Sequence, residues 1–140
     1  MAKIFLDSSV IIAGINSITG ASSLILKLSK ERKIIVSISD MVLQEVLRNI
    51  KKKLPERVLI QFLKYLSESN FEKIDFEEES EILQYQEITH TKDLHIIAAS
   101  YKANVDYLIT LDKKHLLNIK GKVLPFDIVT PGEFLKLKKY

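Results

Sequence analysis

Short apolar runs alternate with longer stretches of helical period along the whole chain, the pattern of a parallel sheet covered by helices. The runs are KIFLD (Lys3–Asp7), IIVS (Ile34–Ser37), FEKI (Phe71–Ile74), YLIT (Tyr107–Thr110) and DIV (Asp127–Val129). Helical spacing predicts helices over Ser22–Arg32, Ser39–Lys53, Glu56–Ser69, Glu77–Glu87, Asp93–Ala103, Lys113–Asn118 and Pro131–Lys138, the last with Pro in its first turn. Strand–helix–strand order implies a right-handed α/β arrangement with helices on both faces. In such sheets ligands bind at the carboxyl ends of the strands, where loops diverge and helix N-termini open onto a crevice.

With 140 residues, no internal repeat and no Gly/Ser linker, the chain is expected to form a single domain over residues 1–140. Seven Gly and Pro and no Cys exclude collagen-like, low-complexity, disulfide-stapled and Cys-ligated zinc classes. The longest apolar run near the start, Val10 to Ile15, is far below the roughly 18 residues that span a bilayer. A cytoplasmic protein with no membrane partner is the expectation.

Charge is unevenly placed. Between Glu72 and Glu87 seven acids face the single Lys73, a local charge of −6 in a chain of net +3, so the remainder carries +9. Basic residues gather at Lys27-Lys30-Arg32-Lys33, at Arg48-Lys51-Lys52-Lys53 with Arg57, and at Lys136-Lys138-Lys139. They are either solvated helix faces or an attraction for a polyanion such as nucleic acid.

Four acids sit where the sheet pattern would bring them to one edge. Asp7 ends the first strand, and Asp112 follows the fourth, two residues after Thr110. Asp93 heads the helix DLHIIAASYKA, and Glu45 lies in MVLQEVLRNI on the polar side of a stripe of Val42, Leu43, Val46, Leu47 and Ile50. Singly, each has a plain structural use: the three Asp as helix N-caps, Glu45 as a solvated residue or a partner of Arg48 or Asn49. Jointly they repel, since one carboxylate pair 4 Å apart costs about 4 kcal/mol at an effective dielectric near 20. A cluster of four therefore calls for a cation. Oxygen ligands without Cys or a paired-His spacing favour Mg²⁺ or Mn²⁺ over zinc, and such an ion can serve phosphodiester hydrolysis by activating water and neutralising phosphate charge.

The segments IFLDSSVIIAGI, SDMVLQEVL, KDLHIIAAS and VDYLITLDKKHLL, in that order from Lys3 to Leu117, resemble the PIN-domain family of metal-dependent ribonucleases, which includes the toxins of prokaryotic toxin–antitoxin pairs. The resemblance implies a three-layer α/β/α fold with a mainly parallel sheet. It also implies an acidic Mg²⁺ or Mn²⁺ site and endonuclease activity on single-stranded or structured RNA. Carried over residue by residue, the family's acids correspond to Asp7, Glu45, Asp93 and Asp112. Asp7, Asp93 and Asp112 would be the principal metal ligands, with Glu45 either a ligand or the group that orients or deprotonates the attacking water. Ser8 and Thr110 would hold carboxylates in place. The family often has Thr-Asn after its first acid where this chain has Ser8-Ser9, which changes the hydrogen bonding there but not the ligands. A cognate antitoxin and a homodimer are the partners implied, with Leu59, Phe62 and Leu66 assigned either to the core or to a dimer face.

His90, His95 and His115 show no compact metal-ligand spacing and are expected to be structural or solvated, although His95 lies near Asp93. Asp106 is expected to end a helix–strand turn, and the acidic stretch 72–87 to form a solvated helix. Two rival folds with an Asp after the first strand fail on residues: a receiver domain needs an acidic pair there, and a haloacid-dehalogenase-type phosphatase needs Asp where Ser9 stands. The alternative that survives is a non-catalytic PIN-like scaffold that binds RNA or a partner.

Overall fold

The computed structural model describes residues 1–89, 93–112, 114–119 and 123–140. His90 and Lys113 lie outside them. Five strands, β1 (Lys3–Leu6), β2 (Ile35–Ser39), β3 (Glu72–Ile74), β4 (Tyr107–Ile109) and β5 (Asp127–Val129), form one sheet in the order β3-β2-β1-β4-β5. Every pairing is parallel, with Ile4 opposite both Val36 and Tyr107. A parallel sheet is covered on both faces, which is why β1 reads as a continuous apolar run and buries Ile4, Phe5 and Leu6.

The helices are α1 (Ser8–Asn16), α2 (Ala21–Lys30), α3 (Asp40–Lys53), α4 (Glu56–Glu68), α5 (Ser80–Leu83), α6 (Leu94–Ala103) and α7 (Pro131–Lys138). Helix α6 lies against β1, β2 and β3 with α5 beside it, while α1 packs on α2, α3 and α4, and α2 on α7. The result is the expected three-layer α/β/α arrangement. Several helix ends have a local cause. Ser39 caps α3 by accepting from Val42 N–H at 3.2 Å, and Asn104 ends α6 in the left-handed conformation at φ 55°. Thr130 and Glu133 form a capping box around Pro131, the proline expected in the first turn of α7.

Three elements differ from the sequence reading. Helix α1 is not among the expected helices: its run of apolar residues packs on α2, α3 and α4, so it lacks the polar face that marks a helix in sequence. The expected helix 77–87 contracts to α5, followed by turns; Glu81 turns its carboxylate back onto the N–H groups of Glu77 (2.7 Å) and Glu78 (3.0 Å), closing the turn that precedes α5. Between Lys114 and Ile119 the chain forms turns and a short 3-10 segment, Leu117–Ile119, instead of an α-helix. In α4, Phe62 is fully buried and Leu59 and Leu66 pack against the core, so these three serve the core, while Ile60 and Leu63 are 60% and 50% exposed. No helix among the described residues is long and apolar enough to cross a membrane.

Candidate active site

Because β2 and β3 lie to one side of β1 and β4 and β5 to the other, the chain reverses its direction of winding between β1 and β4. Loops leaving those two strands diverge, opening a crevice at their carboxyl ends. Asp7 follows β1 there, and Thr110 and Asp112 follow β4. The ladder continues one step past the strands, since Asp7 N–H donates to the Ile109 carbonyl at 3.1 Å.

Asp7 is 5% exposed and caps α1. Its Oδ1 accepts from Ser8 N–H at 2.7 Å and lies 3.5 Å from Ser8 Oγ, and its Oδ2 accepts from Ser9 Oγ at 3.0 Å and Thr110 Oγ1 at 2.7 Å. Ser9 Oγ accepts in turn from Leu111 N–H at 3.2 Å, and Thr110 Oγ1 from Asp112 N–H at 2.9 Å. The Ser8-Ser9 pair thus keeps the first acid well supplied with donors. Burial nonetheless raises the Asp7 pKa above its ordinary 3.8; the hydrogen bonds from Thr110, Ser9 and Ser8 oppose this, and the Glu45 carboxylate adds to it.

Glu45 is half-buried on α3 and its charge acts on Asp7, so it faces the crevice rather than the outer polar side anticipated for it. Asn49, an expected side-chain partner of Glu45, donates instead to the Glu45 backbone carbonyl at 2.9 Å. His95, in the first turn of α6, sits beside the same two acids: burial lowers its pKa below 6.5, opposed by the charges of Glu45 and Asp7. Its Nδ1 is buried with no hydrogen-bond partner among the described residues.

The second half of the crevice is built from Asp93, Asp112 and His115. Asp93 immediately precedes α6, is 8% exposed, and makes no capping bond to that helix. Asp112 Oδ1 accepts from Lys114 N–H at 3.1 Å and His115 N–H at 2.9 Å, the N-cap role expected of it. Its Oδ2 lies 3.3 Å from His115 Nδ1, which is 3.7 Å from Asp93 Oδ2. One ligand atom from each of the three lies within 4.8 Å of the others, close enough for one ion.

All four sequence-predicted acids therefore reach the carboxyl edge, in two groups joined through Thr110: Asp7 with Glu45, and Asp93 with Asp112. Ser8 and Thr110 both hold Asp7. The residue that sequence reasoning missed is His115, expected to be structural or solvated, whose ring lies between two carboxylates. Its signal was position: three residues after Asp112 in a capped turn, its side chain returns to the cap.

Residues 4–122 match the PIN domain family. The chain belongs to that family. The PIN domain here also shares its fold with a chain of the VapBC2 complex of Rickettsia felis, solved bound to a DNA fragment from its promoter. The TM-score is 0.65 at 19% identity, covering 91% of this chain and 98% of that one. No curated protein matches this PIN domain in sequence. Elsewhere, Asp106 Oδ2 accepts from Lys3 N–H at 2.9 Å, tying the start of β1 to the turn before β4 at the opposite edge of the sheet.

Proposed function

We propose that this PIN domain is a divalent-metal-dependent endoribonuclease, the toxin of a toxin–antitoxin pair, acting in the cytoplasm as a homodimer. The observation that carries the reading is the gathering of Asp93, Asp112 and His115 within ligand distance of one another, beside an Asp7 held through Thr110. Carboxylate oxygens with at most one imidazole fit Mg²⁺ or Mn²⁺. Asp93 and Asp112 would hold the cation, with Asp7 and Glu45 completing its acidic surroundings. The ion would supply Lewis acidity toward a scissile phosphate and make water more acidic.

The chain's own residues do the positioning. Ser8, Ser9 and Thr110 fix the Asp7 carboxylate against β4. Glu45, half-buried beside Asp7, orients or deprotonates the attacking water. The last turn of α3, Lys51, Lys52 and Lys53, is exposed and makes no ion pair among the described residues, so the helix that carries Glu45 also carries positive charge for an RNA backbone. A VapBC-like antitoxin partner is supported by the fold shared with the Rickettsia complex. Exposed Ile60 and Leu63 on α4 offer apolar area for a homodimer contact.

The test is cleavage of single-stranded and structured RNA with and without EDTA, by the native chain and by Asp7→Asn and Asp93→Asn. Metal-dependent cleavage abolished in both variants is expected; full activity in either removes that residue from the mechanism, and activity in EDTA overturns the reading.

A further inference from the structure

Acidic sites that take Mg²⁺ are built from oxygen, whereas a nitrogen donor shifts preference toward Mn²⁺ and the later first-row ions. His115 puts such a nitrogen into this crevice: Nδ1 faces Asp112 Oδ2 at 3.3 Å and Asp93 Oδ2 at 3.7 Å. The ring is not placed there by chance of a long side chain, because Asp112 Oδ1 holds the His115 backbone N–H at 2.9 Å and so fixes the turn from which it projects. The ring is half-buried, which limits its alternatives in water. From this geometry we infer that His115 is a metal ligand through Nδ1, and that it makes the site selective for Mn²⁺ over Mg²⁺.

The inference deepens the nuclease reading and rests on it for the presence of a metal. With its hydrogen on Nε2, the neutral ring offers the Nδ1 lone pair to the space that the Asp93 and Asp112 oxygens already enclose. Without an ion, the same nitrogen can instead carry hydrogen and donate to Asp112. These two roles, ligand and carboxylate positioner, give different spectroscopic outcomes.

The experiment is pulsed EPR on the native chain loaded with Mn²⁺ alone, which reads nitrogen bound directly to the ion, repeated on protein labelled with ¹⁵N-histidine. Calorimetric titration with Mn²⁺ and with Mg²⁺ runs alongside, on the native chain and on His115→Gln, His95→Gln, Asp93→Asn and Asp112→Asn. The expected result is a histidine nitrogen coupling that vanishes in His115→Gln and persists in His95→Gln. Mn²⁺ affinity should fall about tenfold or more in His115→Gln while Mg²⁺ affinity changes much less. Mn²⁺ binding that depends on Asp93 and Asp112 but shows no nitrogen coupling in the native chain overturns the inference and leaves the nuclease reading standing. So does a coupling that disappears in His95→Gln instead. Absence of any carboxylate-dependent metal binding overturns both. The native-chain spectrum decides the matter even if the His115 variant fails to fold.

Discussion

Thr110 Oγ1 donates to Asp7 Oδ2 at 2.7 Å while accepting from Asp112 N–H at 2.9 Å, so one hydroxyl joins the acid after β1 to the acid after β4. Thr110→Val keeps the shape and removes both bonds, leaving a buried carboxylate one donor short and a backbone N–H without its acceptor. A loss of about 1–3 kcal/mol in stability is expected, read from the urea midpoint. Metal affinity, measured by calorimetry, should fall as well.

Asp7 is an acid whose burial outweighs its hydrogen bonds, and its folded pKa lies above 3.8. Its contribution to stability is therefore greatest below that value and is lost as pH rises through the folded pKa. Asp7→Asn removes this loss, so in EDTA the stability difference between variant and native chain should move in the variant's favour as pH rises from about 3.5 to about 7. Equal differences at the two pH values in chemical denaturation would sink the prediction.

Gly14 lets α1 and α2 approach closely: a Cβ there would lie 2.5 Å from Leu26 Cδ1 and 2.9 Å from the Ser22 carbonyl oxygen. Gly14→Ala forces the helices apart. Overpacking of this kind costs about 1–3 kcal/mol, and a lower melting temperature by calorimetry is expected. Because Asp7 caps α1, the variant should also weaken Mn²⁺ binding, an effect that tertiary coupling predicts and a purely local clash does not.

If Lys51, Lys52 and Lys53 guide an RNA backbone, replacing all three by Gln should weaken RNA binding without changing sequence preference. It should also flatten the salt dependence, by roughly 0.7 for each single-strand phosphate that the lysines no longer neutralise. Fluorescence anisotropy at several salt concentrations measures the slope. An unchanged slope would place the RNA path elsewhere.

The strands were legible because a parallel sheet buries both faces and writes continuous apolar runs, as β1 and β4 do. The amphipathic helices α3 and α4 were legible from their stripes. Helix α1 was not, since its neighbours cover it on several sides and leave no polar periodicity to read. The site was legible as a set of strand-terminal and helix-heading acids, each reporting its place by local chemistry. His115 escaped because its part depends on a turn of the chain, which brings the ring back over Asp112, and on Asp93 arriving from another element. Spacing rules for histidine pairs on one helix cannot register that geometry.

The bond between Thr110 and Asp7 spans 103 positions of the chain. A polypeptide emerging from the ribosome therefore exposes its first acid long before the strand that completes the crevice has been made. Until β4 has been made, Asp7 lacks its Thr110 donor and the crevice lacks Asp112, so the order of the strands makes assembly of the acidic edge one of the last events in the life of the nascent chain.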